Sequence, residues 1–173
     1  MIKKIFLLIG ITLILSVVSL AQDKKAEKRA AKRAKMEAEM AAKQAKFEKA
    51  VAAIEAKDFV LFVDLLGTTQ KINRDLTNFL SYEKDFVFIQ GIIAPNQLTN
   101  KLKVSDYQQT TDKNGNIYIS MWLRGFYLDD KVEIFLRKGD NYAEVIMTMR
   151  HTRFSGELLP REESEYFKRP NEI

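Results

Sequence analysis

Asp112-Lys-Asn-Gly-Asn-Ile-Tyr-Ile-Ser-Met-Trp-Leu123 is the stretch on which the fold turns. Asn114 and Gly115 both tolerate positive φ, so together they fit the centre of a tight hairpin turn. After the turn, Ile117, Ile119, Met121 and Leu123 alternate with Tyr118, Ser120 and Trp122. A period of two is that of a strand with one buried face. Leu102 to Thr111 supplies the partner strand on the other side of the turn.

Working outward, the same grammar repeats. Val132 to Arg137 and Tyr142 to Met149 flank Lys138-Gly-Asp-Asn141, a second hairpin signal. Phe59 to Val63 is β-branched and aromatic and stops before Gly67-Thr-Thr. Asn78 to Tyr82 and Phe86 to Ile93 surround the polar Glu83-Lys84-Asp85, and Glu157 to Leu159 reads as a short last strand before Pro160. Residues 58–173 are therefore expected to be mainly β, an antiparallel meander of seven to eight strands forming a sandwich or barrel. A long N-terminal α-helix should precede it, because 22–57 is built almost wholly from Ala, Lys, Arg, Glu, Met and Gln, without Gly or Pro.

Two apolar surfaces need partners. On the helix, Met36, Met40, Phe47, Val51 and Ile54 form one stripe, long enough for less than three heptads of coiled coil. On the strands, the faces opposite the core carry Tyr118, Trp122, Phe135 and Ile146 among Ser120, Glu133, Arg137, Glu144 and Thr148. Either the helix stripe packs over these residues, or they form an exposed surface for a ligand or partner. Helix cover is the expectation, since the stripe needs a partner.

The N-terminal third carries the charge. Residues 23–57 hold 11 Lys and Arg against 6 Asp and Glu, while 58–173 hold 15 against 17. Lys24, Lys25, Lys28, Arg29, Lys32, Arg33 and Lys35 form a cationic patch suited to an anionic surface or an acidic protein, or a solvated arm whose charges only keep it soluble. Before it, Lys3-Lys4, the apolar run Ile5 to Val18 and Ser19-Leu-Ala21 have the three parts of an export signal. That run is about 14 residues long, where a bilayer-spanning helix needs roughly 20. The expected organisation is a signal peptide over 1–21 cleaved after Ala21, a basic helical arm over 22–57 and an antiparallel β domain over 58–173. The expected location is periplasmic or envelope-associated.

With no Cys and one His among 173 residues, disulfides, thiolate nucleophiles and Cys/His zinc sites are excluded. His151 is the only base a Ser-His-Asp hydrolase could use, and no nucleophile or orienting acid is identifiable beside it. Asp112 to Asn116 lacks the spacing of a calcium loop, and Asp129-Asp130 and Glu162-Glu163 read as solvated turns. No catalytic residue, metal site or cofactor is expected, and nucleic acid is a poor partner for an exported chain.

Lys57-Asp-Phe-Val-Leu-Phe62, Asn78-Phe-Leu-Ser81, Phe86-Val-Phe-Ile-Gln90, Lys113-Asn-Gly-Asn116 and Ser155-Gly-Glu-Leu-Leu-Pro160 with Ser164 and Phe167-Lys168 carry a family likeness. Over roughly residues 50–168 the chain resembles the domain of unknown function 4251 family of exported Bacteroidetes proteins. Where members carry a glycine-rich stretch, this chain has Gly91-Ile-Ile-Ala-Pro-Asn-Gln97. The resemblance implies export and a β fold, and it carries over no activity and no site residue.

The reading is a non-enzymatic binding or interaction module of the bacterial envelope, its partner an envelope protein or an anionic envelope surface. The alternative is a barrel-type carrier of a small apolar ligand, with Tyr118, Trp122 and Phe135 lining the pocket; a hydrolase using His151 is the weaker one.

Overall fold

The computed structural model describes residues 2–73 and 75–169, and for 2–26 it gives the course of the backbone alone. The side chains of the export signal and its cleavage site, and those of Lys24 and Lys25, lie outside what is described, and the course of the backbone does not test cleavage. Among the described residues no helix is long and apolar enough to cross a membrane. Helix α1 (Ile2–Glu55) is followed by strands β1 (Asp58–Leu66), β2 (Gln70–Lys71), β3 (Phe79–Glu83), β4 (Phe86–Gln90), β5 (Asn100–Thr111), β6 (Ile117–Arg124), β7 (Asp129–Leu136), β8 (Tyr142–Met147) and β9 (Thr152–Pro160).

The chain forms two compact units, Met1–Ala42 and Lys43–Ile173. In the first, every described side chain from Glu27 to Ala42 is exposed. The second unit takes in the last three turns of α1 together with all the strands.

Each strand pairs antiparallel with the next, β2 being a short return on the end of β1, and β9 pairs back on β1. The sheet thus closes into an eight-stranded up-and-down barrel. The sequence left sandwich and barrel open; closure by β9 decides between them. Most strands run a few residues past or short of their expected bounds, β1 on to Leu66 and β7 back to Asp129, and two of the differences bear on the barrel. The strand beginning at Phe86 stops at Gln90, where Gly91–Ile93 makes a single 3-10 turn. The expected short strand at Glu157 is nine residues long, and it is the closing strand.

Alternation puts Phe59, Leu61, Leu80, Ile89, Met121, Ile134, Val145 and Phe154 inside, all buried in one cluster. Eight strands leave an interior that side chains just fill. Burying each of Phe59 and Phe154 contributes roughly 1.5–3 kcal/mol. Phe47, Ala50, Ala53 and Ile54 of α1 join that same interior cluster. The helix therefore does not cover the outer face around Tyr118, which is 44% exposed, and that expectation is corrected. The reason is the connection. Lys57, at φ 53°, stops the helix and its amide donates to Ile54 O at 3.0 Å, so β1 begins one residue later. With so short a link the last turns stay at the barrel mouth and their apolar face points into it. Met36 and Met40 remain exposed.

A different segment covers part of the outer face. After Pro160 the chain crosses the outside of β1, β3 and β4, where Val60, Phe62 and Phe79 form a second cluster with Phe88, Leu159 and Tyr166. Phe79 and Tyr166 meet edge to face, centroids 4.9 Å apart. This explains why Phe59 to Val63 is apolar without alternation: β1 is covered on both faces. The buried Gln90 side chain pins the segment, donating to Phe167 O at 2.8 Å and accepting from the Arg169 amide at 2.6 Å.

Candidate functional site

With β1, β3 and β4 covered, the outer face of β5 to β8 is the part of the sheet left open, and a groove of about 390 Å3 lies on it. Its lining includes Gln108, Thr110, Tyr118, Ser120, Glu133, Phe135, Glu144 and Ile146. These residues meet because of register. Tyr118 stands opposite Phe135 and Thr110, Ser120 opposite Glu133 and Gln108, and Phe135 opposite Glu144. Cross-strand partners share a face, so one residue out of two from four strands gathers here. A bulge between Ser105 and Gln108 shifts β5 so that Gln108 joins them.

The centre of the groove is apolar and its rim is ionic. The Tyr118 and Phe135 rings lie 4.9 Å apart, tilted by 36°. Such a pair offers a flat apolar platform with a hydroxyl at one end. Glu144 is ion-paired with Arg153 at 2.5 Å and Glu133 with Lys131 at 2.8 Å. Both carboxylates thus meet a cation at the protein surface, which suits them to accepting hydrogen bonds from a ligand and leaves little net charge. Phe135 and Glu144 also line a second, smaller groove with Tyr142, Asp140 and Ser155. Burial, aided by the Asp64 carboxylate that its hydroxyl donates to, raises the Tyr142 pKa.

Of the three residues read from the sequence as a pocket, Tyr118 and Phe135 come together and Trp122 does not join them. Trp122 lies further along β6, its indole N–H donating to Asp129 and the Arg124 guanidinium 5.8 Å above its ring. The alternation places Glu133, Glu144 and Ile146 on the same face as Phe135 without marking them as pocket residues, and it misses Gln108, because a bulge has no signature in the alternation.

On α1, Lys28, Arg29, Lys32, Arg33 and Lys35 are exposed, with Lys35 3.9 Å from Glu39 one turn on. Exposed pairs of this kind contribute little, so the patch keeps its charge. His151 is the left-handed residue of the β8–β9 turn, at φ 53°, and exposed. Asp112 accepts from the amides of Asn114 and Asn116 at 2.8 and 2.9 Å and from the Asn116 side chain at 2.9 Å. Those bonds, the Asn116 side chain first, lower its pKa and account for it as a turn residue. Among the described residues no group of three or more acidic or histidine side chains could hold a metal ion.

No family model and no curated protein matches the chain. A solved structure does: the crystal structure of a DUF4251 family protein from Bacteroides eggerthii, 29% identical, with a TM-score of 0.61. The match covers 72% of this chain and 94% of that one. The likeness read from the residues is thereby supported by a second, structural observation.

Proposed function

The chain is related to the domain of unknown function 4251 family, and from that premise we propose that it is an exported, non-enzymatic binding module of the bacterial envelope, with the groove on β5 to β8 as its binding surface. The observation that carries this reading is the uncovered Tyr118–Phe135 platform on an otherwise closed and packed barrel. A groove of this volume fits one sugar ring or two or three side chains, and its aromatic floor with Glu133, Glu144 and Gln108 at the rim suits a ligand with one apolar face and hydroxyl or amide edges. The exposed cations of α1 support residence near an anionic envelope surface. A carrier holding its ligand inside the barrel has less support, because Met121, Ile134, Val145 and their neighbours fill the interior.

The test is amide chemical-shift mapping of the labelled protein against fractionated envelope glycans and peptides, repeated with the double variant Tyr118→Ala, Phe135→Ala. A binding fraction should shift the amides of Gln108, Ser120, Glu133 and Ile146 in the parent. The variant should lose those shifts while melting within a few degrees of it. Fractions that bind parent and variant equally, or that move none of these amides, would sink the reading.

A further inference from the structure

In an up-and-down barrel, alternate connections fall at the same end. One end of this barrel carries the turns Lys84-Asp85, Asp112 to Asn116 and Lys138 to Asn141, which are polar throughout. The other end, opposite the start of β1, carries residues 67–78, 91–99, 125–128 and 148–151. There, Leu76, Ile92, Phe126, Tyr127 and Met149 are all exposed, as is Phe167, whose amide donates to Leu76 O at 3.1 Å. Each of the four connections presents at least one large apolar side chain to solvent. The asymmetry between the two ends is a property of the sequence placed by the topology.

The β6–β7 turn shows it most sharply. The Gly125 amide donates to Leu128 O at 2.7 Å, closing a tight turn with Phe126 and Tyr127 at its tip. Such tips are ordinarily Gly, Asn, Asp or Ser. Leu128 tucks inward and is buried, while Phe126 is 92% exposed, its ring edge to face with Tyr127 at 4.7 Å. Exposed aromatic side chains grouped at one end of a domain mark an interaction surface. The charges beside them have one prevailing sign. Lys71, Arg124, Arg150 and Arg169 flank the tips, against the exposed carboxylates Asp75 and Asp129. Asp129 is 4.0 Å from Arg124, and Asp130 is buried, accepting from the amides of Met149 and Arg150 at 2.8 and 3.2 Å.

We propose that this end of the barrel docks on an anionic phospholipid bilayer, with Phe126 and Tyr127 entering the interface and the flanking cations meeting the headgroups. Aromatic rings partition to the headgroup boundary, and each nearby Lys or Arg adds attraction that salt screens. A ring of cations around apolar tips complements that surface, whereas a second copy of the same end would bring like charges together. The docking end shares no residue with the groove, so the two surfaces can be occupied independently.

The experiment places a fluorescent reporter at the tip of the full chain, Phe126→Trp in a Trp122→Phe background, and a matched one on a polar turn, Asn114→Trp in the same background. Both are mixed with phosphatidylglycerol-rich vesicles containing brominated acyl chains. The reporter at 126 should shift to the blue and lose emission to bromine quenching, an effect weakened by salt and absent with neutral vesicles; the reporter at 114 should not change. Because each reporter reads its own site, attachment of the chain through its N-terminus does not mimic the result. No change at 126, or equal quenching at both positions, would overturn the proposal. So would a blue shift at 126 that depends on protein concentration without vesicles, which would assign the end to a second copy.

Discussion

A methyl group added at Gly156 would lie 1.6 Å from Phe62 O and 2.7 Å from the carbonyl carbon behind it. The obstacle is backbone at the bulge between Val63 and Leu65, where β9 meets β1, so it cannot swing aside. Gly156→Ala should therefore destabilise the fold by about 3 kcal/mol or more, measured by urea denaturation; an unchanged midpoint would mean the seam can open there without cost. Glu83 makes a second residue-scale case. Burial alone would raise its pKa, but hydrogen bonds from Lys168, Tyr166 and Ser81 outweigh that and leave it lowered. Lys168 lies 2.7 and 2.8 Å from its two oxygens and the Tyr166 hydroxyl 2.8 Å from one of them. A carboxylate depressed in the folded state adds stability at pH above its unfolded value, and that stability is lost as the pH falls through the folded one. Glu83→Gln should thus cost about 1–2 kcal/mol at neutral pH, and the gap to the parent should shrink as the pH drops below about 4.5. Thermal melts across that range check it, and a gap independent of pH would remove the charge from the explanation.

Among elements, α1 divides into two parts with opposite consequences. Phe47 is buried in the barrel cluster, whereas each described side chain before Lys43 is exposed. Phe47→Ala should cost about 3 kcal/mol, while a variant starting at Met36 should unfold at nearly the same denaturant concentration as the full chain. If the shorter variant loses stability as well, the exposed half is doing more than its burial indicates. Much at this scale was legible. The Asn114-Gly115 turn and the strict alternation of β6, β7 and β8 fixed those strands, since a period of two and a positive-φ turn are local properties. The helix was legible in composition, but the face it would seek was not. The sequence shows an apolar stripe and an apolar outer face, and only the two-residue link Ala56-Lys57 determines that the stripe turns into the barrel mouth. Strand β9 was read as a fragment because Ser155-Gly156 interrupts its pattern, and its need for glycine comes from β1, far away in the chain. Tyr118 and Phe135 were found by alternation, whereas Phe126 and Tyr127 escaped notice because they sit in a turn, where apolar residues have no structural duty.

At the scale of the whole molecule, the barrel has one end closed by the helix and the other carrying exposed apolar tips, with a groove open on its side. Closure itself joins Leu61 to Leu158, partners separated by roughly a hundred residues. Every other strand pairing links neighbours across a short connection. The loop entropy of bringing β9 back to β1 is therefore met in a single late step, after the meander from β3 to β8 has supplied most of its local contacts. The chain emerges with β1 first and β9 last, from the ribosome or across a membrane alike, so one edge of β1 waits unpaired until β9 arrives. During that interval the growing sheet has a free edge, open to pairing with another chain. Closure of the seam is thus expected to come last, and until it does the edge of β1 that Gly156 packs against stays open to other chains.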